Sequence, residues 1–332
     1  MSEALTGSPV NPDAAVSVRG LRKVFGKFAA VDGIDFDVRR GEVFGFLGPN
    51  GSGKTTTIRM LTSSITPTSG TISVLGEDAV KHPDRAKLRL GYMSQKFSLF
   101  EDLTVDENLR FYGGVYDLTA EQFAERRAYV LRMAGLEGRE SELTRNLSVG
   151  WRQRLALGTA TLHSPEIVFL DEPTSGVDPT ARRRFWDLLY DLASNGVTLF
   201  VTTHYMDEAA NCSRLAFMYR GRIIADGPPR EIRESLLTER ILDVSTGDAD
   251  RSLTWLESAD GVHEAYLSGA SVHAVVEAGL SPETLTARLV AAGFADARVV
   301  PVDPTLEDVL SLIHISEPTR RTPISYAVFC LK

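Results

Sequence analysis

The chain has 332 residues, 43% hydrophobic and 24% charged, with a formal net charge of −8. These values fit a globular protein of one large or two ordinary domains and argue against a nucleic-acid partner, whose phosphates need clustered Lys and Arg. No stretch approaches the roughly 18 apolar residues of a membrane span, and the two cysteines, Cys212 and Cys330, lack metal-ligand spacing and fit a reducing, cytoplasmic setting.

Residues 1–15 lack the basic start and apolar stretch of a secretory leader and are expected to form a disordered lead-in. From Val16 the alternation in VSVRGLRKVF and IDFDVRRGEVFGFLG predicts strands. The last of these runs into a glycine-rich loop and a helical stretch, Lys54–Leu61. Gly48, Pro49, Asn50, Gly51, Ser52, Gly53, Lys54 and Thr55 fit G-x-x-x-x-G-K-[ST] in full, with Thr56 next in line. Strand, glycine loop and helix are the context that a phosphate-binding loop requires. The glycines let backbone N–H groups approach phosphate, and the helix start adds favourable partial charge. Lys54 is placed to reach the β- and γ-phosphates of a nucleotide, and the Thr55 hydroxyl to ligate Mg²⁺.

From Phe97 to about Thr161 the pattern turns helical, with capping-box spacings at Thr104–Glu107 and Thr119–Gln122. The strands EIVFLD and VTLFVTTH follow. Both are continuous rather than alternating, as in a parallel sheet covered on two faces, so a helical insertion interrupts an α/β core. IVFLDE ends in two carboxylates at a strand's C-terminal edge, where ligands bind in open α/β folds. Asp171 is placed to hold Mg²⁺ and Glu172 to orient or deprotonate an attacking water. His204 closes the neighbouring strand and is placed to touch the γ-phosphate. The basic run Arg182–Arg184 reads as a solvated helix face.

After Pro228 the order β-α-β-β-α-β matches a ferredoxin-like split unit without recognisable chemistry. The expected division is therefore a core at 16–236 with a helical subdomain near 97–161, an accessory domain at 237–310, and a tail. The tail, Ser311 to Lys332, has no periodicity and resembles translated sequencing-adapter read-through; it is expected to be non-native and is set aside.

Residues 16–236 resemble the nucleotide-binding subunit of an ABC transporter. More narrowly, YMSQKFSLF, LSVGWRQRLAL, FLDEPTSGVDP and TTHYMDEA resemble ATPases of the exporter group with separate ABC-2 type permeases, including multidrug and daunorubicin-resistance pumps. The resemblance implies a fold class: an α/β P-loop NTPase core of the ABC ATPase type, with an antiparallel β-subdomain and helical insertion, followed by the ferredoxin-like α+β domain. It implies ATP and Mg²⁺ as ligands, Gln95 as a sensor of Mg²⁺ and the attacking water, and Lys96–Tyr112 as the seat of a permease coupling helix. Phe25 takes the place of an aromatic that stacks on adenine; a packed strand residue is the other reading of that position. Asp178 matches a residue that crosses to the opposite subunit.

In that family two copies pack head to tail, and each ATP lies between one phosphate loop and the partner's Leu-Ser-Gly-Gly-Gln edge. Here Ser148 and Gly150 keep the phosphate-facing groups, Val149 stands where the first glycine would be, and Trp151 where the glutamine would be. The implied function is the ATP-hydrolysing subunit of an exporter at the cytoplasmic face of the membrane. It would work as a homodimer or beside a paralogue, with an integral-membrane ABC-2 permease. A soluble ABC ATPase acting on ribosomes or DNA, and a regulatory module that binds ATP without hydrolysing it, are the alternatives.

Overall fold

The computed structural model describes residues 10–96, 98–235, 240–277 and 279–302; residues 1–9 and the tail set aside above lie outside these. Strands β1 (Val16–Phe25) and β2 (Phe28–Val38) form an antiparallel hairpin. Its two-residue turn opens on Gly26 at φ 59°, the left-handed conformation such a turn favours. The wholly buried β3 (Val43–Leu47) feeds the glycine loop and α1 (Lys54–Leu61). β4 (Ser69–Val74), β5 (Glu77–Asp78), α2 (Pro83–Lys87) and β6 (Leu90–Met93) follow.

Helices α3 (Val105–Val115) and α4 (Ala120–Ala134) both start on the expected capping boxes. Thr104 accepts from the Glu107 amide and Thr119 from the Gln122 amide, with the Glu107 and Gln122 side chains reaching back. Then come α5 (Val149–Thr161), β7 (Ile167–Asp171), α6 (Pro179–Ser194) and β8 (Thr198–Thr203). The short α7 (Met206–Ala209), β9 (Arg214–Tyr219) and β10 (Arg222–Gly227) complete this part, and α8 (Pro229–Ser235) begins at its end.

Two sheets result. One is antiparallel, in the order β2-β1-β4-β5; the other runs β10-β9-β3-β8-β7-β6 and is parallel except for β10. The parallel strands β3, β7 and β8 are buried at every position, which explains their unbroken apolar runs. Phe200 sits at the centre of an aromatic group, within 5.3–6.1 Å of the Phe36, Phe44, Phe46 and Phe169 rings. Each such buried ring contributes roughly 1.5–3 kcal/mol. The helical insertion has its own core around Leu109, Val130, Leu131 and Leu155.

Ala14 and Ala15 correct the expectation of a lead-in disordered to residue 15: both are buried. The Ala15 amide donates to the Val38 carbonyl (2.7 Å) and its carbonyl accepts from Leu75 (2.7 Å). Small apolar residues there extend the sheet instead of exposing unpaired backbone.

The chain divides into two compact units between Pro229 and Arg230, ahead of the boundary expected after 236. In the second unit β11 (Arg240–Ser245), α9 (Ala249–Leu256), β12 (Val262–Ser268), β13 (Ser271–Val276), α10 (Pro282–Ala291) and β14 (Arg298–Val302) follow in order. The antiparallel sheet order is β12-β13-β11-β14, the ferredoxin-like arrangement. Leu242, Val244, Leu256, Leu285 and Leu289 form its core.

Candidate nucleotide site

β3 ends at Leu47, and the chain turns through Gly48 (φ 153°), Gly51 (φ 80°) and Gly53 (φ 114°) before α1 begins. A Cβ on Gly48 would lie 2.1 Å from the Met218 carbonyl oxygen, and one on Gly53 2.4 Å from that of Ala30. Sterics, as well as backbone angles, therefore demand glycine at both positions. No side chain caps the start of α1 and no acidic residue lies in its first turn, so its leading N–H groups point to an anion without competition. The buried Ser52 hydroxyl has no protein partner among the described residues. A phosphate group fits that cradle.

The buried Lys54 ammonium donates to the carbonyls of Gly48 (2.7 Å) and Pro49 (3.2 Å) and lies 3.4 Å from Glu172 Oε1. Burial lowers its pKa, against the opposing pull of Glu172. Across the loop the Thr55 hydroxyl donates to Asp171 Oδ1 (3.2 Å), which also accepts from Thr202 Oγ1 (2.8 Å). Burial raises the pKa of Asp171, while those two hydroxyls work the other way. An ammonium and a carboxylate, both desolvated and both drawn toward neutrality, suit a site that receives polyphosphate and a cation.

Glu172 occupies a left-handed backbone conformation, φ 48°, which strains a non-glycine residue. Its amide is held by the Thr202 carbonyl (3.1 Å) and hydroxyl (3.0 Å), so the turn is imposed by the neighbouring strand. Gln95 Nε2 donates to Glu172 Oε2 (3.1 Å). His204 Nδ1 lies 3.2 Å from the same oxygen, close enough for an ion pair but not aligned as a hydrogen bond. Lys54, Gln95 and His204 thus converge on one carboxylate. A cleft of about 420 Å³ beside them is lined by Phe25, Phe28, Asn50, Lys54, Gln95 and Glu172 among others.

Ser148, Gly150 and Asp178 do not line that cleft. Ser148 is the N-cap of α5 and makes no side-chain cap bond, which leaves its hydroxyl free of that duty. A Cβ on Gly150 would come within 3.3 Å of the Ala181 side chain, whereas Val149 projects outward and is exposed. Trp151 packs on the helical core beside Gly135, with the Arg139 guanidinium 4.6 Å and that of Arg154 5.0 Å from its ring. Asp178 caps α6 by accepting from the Thr180 and Ala181 amides, both at 3.0 Å.

Three residues escaped the sequence reading. Thr202, one strand over from Asp171 in register, holds both acidic residues; a pair of threonines closing the run Leu199–Val201 was its signal. Phe28 pairs with Phe25 across the hairpin turn, and both rings are exposed beside the cleft. Two aromatics flanking a Gly-Lys turn were the signal there. Arg182 corrects the reading of the basic run: Arg183 and Arg184 are exposed, but Arg182 is tucked against Tyr205 and Glu208.

This geometry defines a P-loop nucleotide-binding site. The ABC transporter family model matches residues 31–175. The chain is 41% identical over 232 residues to the Nod factor export ATP-binding protein I of Cupriavidus metallidurans, covering 70% of this chain and 77% of that protein. It is 47% identical over 221 residues to the probable multidrug ABC transporter ATP-binding protein YbhF of Escherichia coli, 67% of this chain but only 38% of the relative's length. A solved relative, cbiO1 from Clostridium perfringens, part of an ABC transporter complex, superposes with TM-score 0.62 at 27% identity, over 68% of this chain and 96% of that one. A dimeric post-hydrolysis ATP-binding cassette bound to ADP and Pi shares the fold at TM-score 0.59 and 24% identity, covering 64% and 98%. The chain belongs to the ATP-binding proteins of the ABC transporter family.

Proposed function

We propose that the chain hydrolyses ATP to drive export through a separately encoded ABC-2 type permease, docked at the cytoplasmic face of the membrane. The observation that carries this reading is the convergence of Lys54, Gln95 and His204 on the strained Glu172, next to an uncapped helix start. Names of export ATP-binding proteins among the relatives support the direction of transport.

The loop amides of residues 48–56 and Lys54 bind the polyphosphate, and Phe25 with Phe28 flank the base. Thr55 and Asp171, with Gln95 nearby, hold Mg²⁺, which supplies charge neutralisation at the phosphates when bound. Glu172 accepts the proton of the attacking water, and His204 sits beside that carboxylate, facing the terminal phosphoryl group. The Ser148–Gly150 edge and Asp178 serve the partner cassette's nucleotide, so two copies, or one copy and a paralogue, form the motor.

No helix among the described residues is long and apolar enough to cross a membrane, which motivates a separate permease. Light scattering of the full chain is expected to show a monomer that pairs when Mg-ATP is added. Affinity capture from membranes is expected to bring down a polytopic membrane protein; capture of ribosomes or DNA instead would overturn the transport reading. Replacing Phe25 by Ala is expected to raise KM for ATP about tenfold with little change in kcat, since base–aromatic stacking contributes about 1–3 kcal/mol. The double change with Phe28 raises it further, as measured by steady-state hydrolysis.

A further inference from the structure

We propose that Arg182 is a positioning residue for catalysis: it clamps the Tyr205–His204 segment so that the imidazole stays beside Glu172. The inference rests on the ATPase reading above and extends it to a residue on α6, outside the cleft.

Arg182 lies one helical turn beyond Asp178, the cap of α6. Its guanidinium centre is 4.2 Å from the Tyr205 ring centroid, and the Tyr205 ring is 4.1 Å from that of His204. The same guanidinium reaches Asp207 Oδ2 (3.2 Å) and Glu208 Oε1 (3.4 Å). Glu208 is 1% exposed, and its Oε1 accepts the Thr174 hydroxyl, two residues beyond Glu172. Arg182 therefore grips both sides of the catalytic carboxylate's surroundings: His204 through the tilted Tyr205 ring, and the Glu172 loop through Glu208 and Thr174.

Only a planar, multidentate cation does both. The guanidinium covers the Tyr205 face while Nη1 donates to Asp207 Oδ2 and Nε lies beside Glu208 Oε1 as an ion pair not aligned as a hydrogen bond; a lysine ammonium cannot combine these contacts. With 16% of its side chain exposed against 1% for Glu208, Arg182 meets that carboxylate in a desolvated setting where charge attraction is screened little, whereas Asp207 is 70% exposed and contributes less.

The test is steady-state hydrolysis of Mg-ATP by the full chain, with crystal structures of the variants. Arg182→Met is expected to lower kcat by about tenfold with KM for ATP unchanged within about twofold, because the loss is one of alignment rather than binding. Arg182→Lys is expected to recover little, and Tyr205→Phe, which keeps the ring, to retain nearly full kcat. Tyr205→Ala is expected to match Arg182→Met, and the double variant to fall no further, as for two parts of one device. In the Arg182→Met structure His204 should be displaced from Glu172. An imidazole left in place, or full restoration by lysine, overturns the proposal, and the structural readout decides it even in a chain that releases no phosphate. Absence of phosphate release by the wild-type chain would instead count against the ATPase reading alone.

Discussion

Replacing Glu172 by Gln is expected to slow ATP hydrolysis by about a thousandfold while trapping ATP-bound pairs of the chain. The substitution is nearly isosteric and leaves the φ 48° turn, set by Thr202, in place. What it removes is the basic oxygen lying between Gln95 and His204. A positioned general base contributes roughly 10²–10⁴ in rate, and none of the side chains converging on Glu172 is a second carboxylate. Binding relies on other groups, the loop amides and Lys54, so ATP still closes the dimer, and the loss of hydrolysis keeps it closed. Phosphate release and light scattering on the same sample check both halves; steady turnover at the wild-type rate contradicts the role assigned to Glu172.

Lys54→Met is expected to weaken ATP binding on the order of a hundredfold or more. The ammonium is aimed at the loop carbonyls of Gly48 and Pro49 and at Glu172, within reach of any phosphate seated in the cradle. Charge-assisted hydrogen bonds contribute about 1.5–3 kcal/mol each, and every 1.4 kcal/mol is about tenfold in affinity. Without nucleotide the two opposing effects of the change nearly offset each other. Methionine relieves the burial that lowers the Lys54 pKa, yet Glu172 loses one partner while keeping Gln95. The melting temperature of the free chain is therefore expected to move little, whereas the rise produced by Mg-ATP should vanish. Thermal unfolding with and without nucleotide separates lost binding from lost folding.

How far could these features be read in advance? Residues whose role follows from local backbone were legible. The glycine loop follows from spacing, and both capping boxes and the β-α-β-β-α-β order follow from short-range pattern. Gln95 stands on another segment from Glu172, so no spacing announces their hydrogen bond, and only the family resemblance suggested a role for it. Trp151 and Arg182 defeat local reading for a different reason. Whether a side chain at a helix start points to solvent or inward depends on the neighbouring element. Gly135 leaves room for the Trp151 ring, and Tyr205 offers a face to Arg182. The Arg182–Arg184 run looked uniform in composition, yet Arg183 and Arg184 are exposed while Arg182 is tucked against Tyr205 and Glu208.

Val149 carries one last consequence. As the first residue of α5 it stands where the wider family's Leu-Ser-Gly-Gly-Gln pattern has its first glycine, and it is exposed in ordinary helical backbone. A β-branched residue there surrenders its freedom when the chain folds, a difference of about 0.4–1 kcal/mol relative to glycine. Less disorder is then left to quench when triphosphate arrives. In the pairing proposed above, the valine makes this helix tip a stiffer edge than a glycine would.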